Sequence, residues 1–143
     1  MRKIFAGLIV IALLCFFASI SFAQSSPKLV AYYFHTTFRC PSCHKIEQYT
    51  ERAIREYFAK EIETGNLVYK VINIEEKGNE HFVQDYKLYT KSVVLSLVKD
   101  GKEAKFKNLE KVWQLLRNED KFYKYIKEET QSFLDELKEN KSS

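Results

Sequence analysis

The chain of 143 residues holds only three cysteines and no methionine beyond Met1. Cys15 lies in an N-terminal apolar run, and the other two form one motif, Cys40-Pro41-Ser42-Cys43. A loop that short removes little unfolded-state entropy compared with a long one, so the pair does not read as a stabilising staple. Chemistry or metal binding remains as its purpose. An excess of charge of one sign is also missing, with 23 Lys and Arg against 19 Asp and Glu. That balance gives no reason to invoke nucleic acid or an acidic membrane surface as a partner. Beyond residue 23 no stretch is long and apolar enough to span a bilayer. Internal repeats and low-complexity segments are absent too, and the length supports one domain with an ordinary core.

What is present begins with a leader. Met1-Arg2-Lys3 is a basic start, Ile4 to Ile20 carries no charge, and Ser21-Phe22-Ala23 ends in the small residues that a signal peptidase reads. Residues 1–23 are therefore expected to be a secretory signal peptide, and residues 24–143 the domain. The rival reading is an uncleaved membrane anchor over residues 4–20, the only route by which a membrane becomes a partner. Lipidation at Cys15 is disfavoured, because Ala12-Leu13-Leu14 lacks a small residue just before it. Without Arg2 and Lys3, basic residues exceed acidic ones by two. Cys15 leaves as well, so the expected compartment is periplasmic or extracellular and the motif cysteines are the only thiols there.

Residues 29–34, Leu-Val-Ala-Tyr-Tyr-Phe, form the continuous apolar run of a strand buried on both faces. Thr36 to Arg39 is a turn, and Pro41 suits a first helical turn, where its missing amide hydrogen costs nothing. Ile46, Tyr49, Ala53, Ile54, Tyr57, Phe58 and Ile62 recur at helical spacing, with Gly65-Asn66 as the stop. Leu67 to Ile74 reads as a second strand, parallel to the first through a right-handed crossover. A short helix follows over Glu80 to Leu88, with Phe82, Val83, Tyr86 and Leu88 inward. Val93 to Val98 is a strand, Lys99 to Lys102 carries a hairpin signal, and Glu103 to Lys107 closes the hairpin as an edge strand. From Asn108 a helical pattern runs nearly to the end through Trp113, with a break expected at Arg117 to Asp120. Its apolar stripe reads as a lid on the sheet, the alternative being that the part beyond Asp120 presents it to a partner.

A dithiol at a strand-to-helix turn favours redox chemistry, because the free amides of the helix start point at the first sulfur and favour its thiolate. Arg39 and, when protonated, His44 add positive charge there. Two other chemistries use the same residues. Cys40-Pro41-Ser42-Cys43-His44 fits the attachment pattern of a c-type haem, but only His35 and His81 are left as second axial ligand, and the haem would displace the packed strand-helix junction. The two thiolates with His44, or with His35 at the strand end, suit a soft ion such as copper(I) or zinc. Otherwise His35 reads as structural, His81 as a surface residue, and the many aromatics as core. No flavin-binding signature is present.

The element order, strand, helix, strand, helix, strand, strand, helix, with the dithiol after the first strand, resembles the thioredoxin superfamily. The block Tyr32-Tyr33-Phe34-His35-Thr36-Thr37-Phe38-Arg39-Cys40-Pro41-Ser42-Cys43-His44 is similar to the exported ArsF-type family, named as a nitrophenyl compound nitroreductase subunit. The first resemblance implies an α/β, thioredoxin-like fold (β-α-β-α-β-β-α) with a central mixed sheet and an extended C-terminal helix. It also implies that Cys40 is the nucleophile and Cys43 the resolving thiol, with no cofactor and with a redox partner protein or small thiol or disulfide. The second implies a subunit that supports reduction of nitroaromatics or handles arsenicals, and a close dithiol is chemically suited to arsenic(III).

One position departs from the pattern. Thioredoxins place a cis-proline before the third strand, where this chain has Ser92 in Leu88-Tyr89-Thr90-Lys91-Ser92-Val93. A non-proline cis bond costs about 2.5–4 kcal/mol, so a trans peptide is expected. The departure removes a feature that presents substrate backbone and leaves room for an ion or arsenical. Thr90 and Ser92 then either offer hydroxyls near the sulfurs or satisfy loop backbone groups.

The leader reading is directly testable. Exported protein should begin at Gln24, as read by N-terminal sequencing or intact mass, and material that retains Met1 would favour the anchor.

Overall fold

The computed structural model describes residues 26–139. The leader, Cys15, the cleavage point after Ala23 and the anchor over residues 4–20 lie outside them. Among the described residues no helix is long and apolar enough to cross a membrane.

The first strand, β1 (Lys28–His35), is buried over most of its length, as its unbroken apolar run requires. It lies between β2 (Leu67–Asn73), parallel to it, and β3 (Ser92–Lys99), antiparallel. The fourth strand, β4 (Lys102–Asn108), pairs antiparallel with β3 at the edge, giving the order β2-β1-β3-β4. The hairpin between them turns through Asp100 and Gly101, at φ 51° and 74°. Both lie in the left-handed region that a two-residue turn of this hand demands. Helix α1 (Pro41–Tyr57) makes the crossover between β1 and β2, followed by the short α2 (Ala59–Glu63). Next come α3 (His81–Asp85) after β2, then α4 (Val112–Leu115) and the long α5 (Glu119–Glu139). The result is an α/β, thioredoxin-like fold with a mixed sheet.

Side-chain alternation along β1 assigns its residues to two cores. Leu29, Ala31 and Tyr33 join Val93, Leu95 and Leu97 against α1 (Ile46, Ala53, Ile54) and α5 (Phe122, Ile126, Phe133, Leu134, Leu137). On the opposite face Phe34 and Val94 pack with Tyr86 and Leu88, flanked by Tyr32, Ile72 and Phe82. That second face is an aromatic cluster, with ring centroids 5.1 Å apart for Tyr32–Phe34 and for Phe34–Phe82.

Four expectations are corrected. The helix expected through Ile62 is divided at Phe58, whose backbone leaves helical geometry (φ −130°, ψ 30°) as its ring enters the first core. Val83 is exposed rather than inward, because Phe82 and Tyr86, one turn apart, already occupy the buried side of a five-residue helix. Asn108 does not cap a helix: it ends β4, paired with Val94. The cap belongs to Asn118, whose side-chain oxygen accepts from the Lys121 amide at 3.0 Å, so the break falls at residues 116–118. The stripe of α5 is core against α1 and the sheet, as the lid reading expects, and only the alternative of a partner surface beyond Asp120 is corrected.

Phe122 is fully buried and meets Tyr49 edge-on at 5.4 Å, across the α1–α5 seam. Phe122→Ala is expected to cost about 3–5 kcal/mol in denaturant unfolding. A loss below about 1 kcal/mol would contradict this packing.

Candidate functional site

Cys40 is the N-cap of α1, in extended geometry (φ −83°, ψ 164°), and Pro41 takes the first helical turn, as expected. The Cys43 amide donates to the Cys40 sulfur at 3.2 Å, and the His44 amide donates to the Cys40 carbonyl at the same distance. The two sulfurs are joined, with Cα atoms 5.1 Å apart. Cys40 is half-buried, whereas Cys43 is 1% exposed. The asymmetry follows from helix geometry: the cap residue lies at the rim, and the residue one turn in faces the sheet. The first turn of α1 contains no acidic residue to oppose a thiolate at Cys40.

The supporting residues are distributed less simply. Arg39 does not present a free charge. Its guanidinium is ion-paired with the Glu47 carboxylate and lies 5.8 Å from the centre of the Tyr33 ring. His44 is exposed on α1. His35 stacks on Tyr33 at 5.9 Å and donates from Nδ1 to the Thr36 carbonyl at 2.9 Å. His81 is on α3, beside Asp85. Among the described residues no group of three or more His, Cys, Asp or Glu is placed to hold a metal ion.

Ser92 opens β3 opposite Phe34, and among the described residues no peptide bond is cis. Its hydroxyl donates to the Thr90 carbonyl at 2.9 Å, so of the two roles open to it, it satisfies loop backbone. Thr90 is exposed. Trp113 on α4 holds the same loop, donating from its indole to the Lys91 carbonyl at 2.9 Å. Tyr89, Ser92, Phe106 and Trp113 line a cleft of about 480 Å³ along this loop.

Three features escaped the sequence. Tyr33, fully buried, donates from its phenol to the Cys43 carbonyl at 2.7 Å and so ties α1 to the sheet. Burial raises its pKa, and the Arg39 charge partly opposes the rise. Glu47 is the partner of Arg39. Its only signal was its place four residues after Cys43, on the same helix face. The third is a latch on the turn that carries the motif. The Thr37 amide donates to the Glu75 carboxylate at 2.8 Å, and the Asn73 amide group donates to the Thr37 hydroxyl at 3.2 Å. The Glu75 amide in turn donates to the Asn73 side chain at 3.1 Å. Hydrogen bonds from the Thr37 side chain and then its backbone hold the Glu75 carboxyl below its usual value. No local pattern announces a contact across 38 residues. It requires β1 and β2 to be in register, with His35 opposite Asn73.

Among solved structures, the chain is similar to thioredoxin O2 from Arabidopsis thaliana in its oxidised state: 15% identity, covering 67% of this chain and 76% of that one, TM-score 0.40. It is also similar to the germline-specific thioredoxin Deadhead from Drosophila melanogaster, at 18% identity, 66% and 80% coverage and TM-score 0.41. A third is the reduced thioredoxin pre-protein of Schistosoma mansoni, at 16% identity, 69% and 83% coverage and TM-score 0.41. Identities this low say nothing about substrate or partner. No protein-family model and no curated protein matches the chain, so the finer resemblance to the ArsF-type family gains no support from comparison.

The latch has a testable pH dependence. A carboxyl whose pKa is lowered by folding contributes stability that is fully present above its unfolded value, about 4.3, and is lost as pH falls through the lower folded value. Glu75→Gln should therefore lose less stability than wild type on acidification below about pH 4.3, measured as paired thermal melts. Identical acid dependence of the two proteins would remove Glu75 from the latch.

Proposed function

We propose that the chain is an exported thiol–disulfide redox protein that exchanges two electrons through Cys40 and Cys43 with a partner protein or a small disulfide. The observation that carries this reading is the inequality of the two sulfurs. One is at the rim of a helix N-terminus, accepting an amide hydrogen bond, and the other is shut in one turn deeper. Export rests on the leader's composition, and the partner's class on the chemistry of the dithiol.

Oxidation of the dithiol proceeds in two balanced steps. The Cys40 thiolate attacks one sulfur of the partner disulfide, forming a mixed disulfide and expelling the partner's other sulfur as a thiolate, which takes a proton from solvent. Cys43 then loses its proton and attacks the Cys40 sulfur, closing the intramolecular bond and releasing the second partner thiolate. Two electrons pass to the partner, and reduction of this chain is the reverse. The helix N-terminus assists by favouring the Cys40 thiolate, which is both the attacking and the leaving group. The Tyr33 bond to the Cys43 carbonyl keeps the second sulfur within reach of the first.

The finer resemblance would direct these electrons towards a nitroaromatic-reducing assembly. With no flavin-binding signature in the sequence, this chain's own part in such an assembly is the dithiol.

The two sulfurs should separate in a trapping experiment. Cys43→Ser is expected to accumulate mixed disulfides with partners, visible as thiol-sensitive adducts on non-reducing gels, while Cys40→Ser accumulates few. Equal trapping by both variants would refute the assignment of roles.

A further inference from the structure

Arg39 immediately precedes the nucleophilic cysteine, yet its charge is not free. Its side chain is 20% exposed and that of Glu47, to which it is paired, is 22% exposed. In other ion pairs the basic side chain is far more open: Arg55, paired with Glu51, is 64% exposed, and Lys107, paired with Glu129, is 48% exposed. Solvent screens such pairs strongly, whereas the Arg39–Glu47 pair is largely sheltered.

The surroundings hold the pair on the redox turn. The guanidinium packs on the ring of Tyr33, the same side chain that donates to the Cys43 carbonyl. The Tyr69 phenol donates to the Glu47 carbonyl at 3.5 Å, from the neighbouring strand. Two tyrosines of the sheet thus bracket the segment from Cys43 to Glu47, and Arg39 reaches across it from the other side of Cys40.

We propose that Glu47 is a positioning residue that sets the reduction potential of the Cys40–Cys43 pair by holding and offsetting the positive charge of Arg39. The inference rests on the thiol–disulfide reading above. A bare guanidinium next to Cys40 would favour the thiolate and hence the reduced form, making the disulfide a stronger oxidant. A carboxylate fixed to that guanidinium cancels much of its field and keeps the potential lower. Removing either partner also leaves an uncompensated, sheltered charge, which lowers stability in both redox states. Only the electrostatic role gives the two removals opposite signs in potential.

The test equilibrates purified protein with glutathione buffers and reads the reduced fraction by alkylation and mass. Glu47→Gln should move the equilibrium towards the reduced protein by about three- to tenfold, and tenfold corresponds to about 30 mV. Arg39→Gln should move it towards the oxidised protein, Arg39→Lys should stay near wild type, and the double variant Arg39→Gln with Glu47→Gln should return to within about twofold of wild type. A folded Glu47→Gln protein with an unchanged equilibrium, or one shifted in the same direction as Arg39→Gln, overturns the inference and leaves the redox reading standing. If Glu47→Gln fails to fold, Arg39→Gln and Arg39→Lys decide: a charge-dependent shift supports the inference, and an unmoved Arg39→Gln overturns it. A wild-type disulfide that never equilibrates with glutathione overturns the redox reading, and this inference with it.

Discussion

The site depends on one junction, where β1 ends and α1 begins with Cys40 as its cap. The bond from the Cys43 amide to the Cys40 sulfur is a helix cap made by a sulfur in place of the usual oxygen. The same contact that starts the helix therefore acts on a sulfur of the motif. Because β1 is the inner strand between β2 and β3, the point from which Cys40 is presented is fixed by hydrogen bonding on both sides. The β1 run buried on both faces allows that central position.

Around this junction, each neighbouring element contributes one restraint. Asn73 and Glu75, just past β2, hold the preceding turn through Thr37. Trp113 on α4 and Ser92 at the head of β3 hold the loop before β3. Tyr33 and Tyr69 reach from the sheet to the backbone of α1. Their phenols hydrogen-bond carbonyls within and just after the redox turn, and burial pushes both pKa values up, so they stay neutral donors. Together these restraints hold the turn and the two sulfurs in one geometry, which the thiol–disulfide exchange proposed above needs.

Much of this was legible in the chain. The apolar runs at residues 29–34 and 93–98, the helical spacing after Cys43 and the Asp100-Gly101 turn each report a local preference that the tertiary structure keeps. Where the reading failed, a local signal was outweighed by packing. Phe58 is at helical spacing but leaves the helix to enter the core, and Asn108 resembles a cap but is claimed by the ladder with β3. Val83 is apolar in a helix too short to bury a third side.

By itself the sequence determined the Cys-x-x-Cys pair, its place at a strand-to-helix turn and the order of elements, because each rests on residues that are neighbours along the chain or along one helix face. Only the tertiary structure decided how the charges and hydroxyls near the sulfurs are used. Arg39 is paired with Glu47, the Ser92 hydroxyl is bonded to its own loop, and Glu75 is brought to Thr37. Each of these is a choice between partners that the chain offers at several positions. The choice is made by strand register and helix docking, which place one candidate within hydrogen-bond distance and leave the others out of reach.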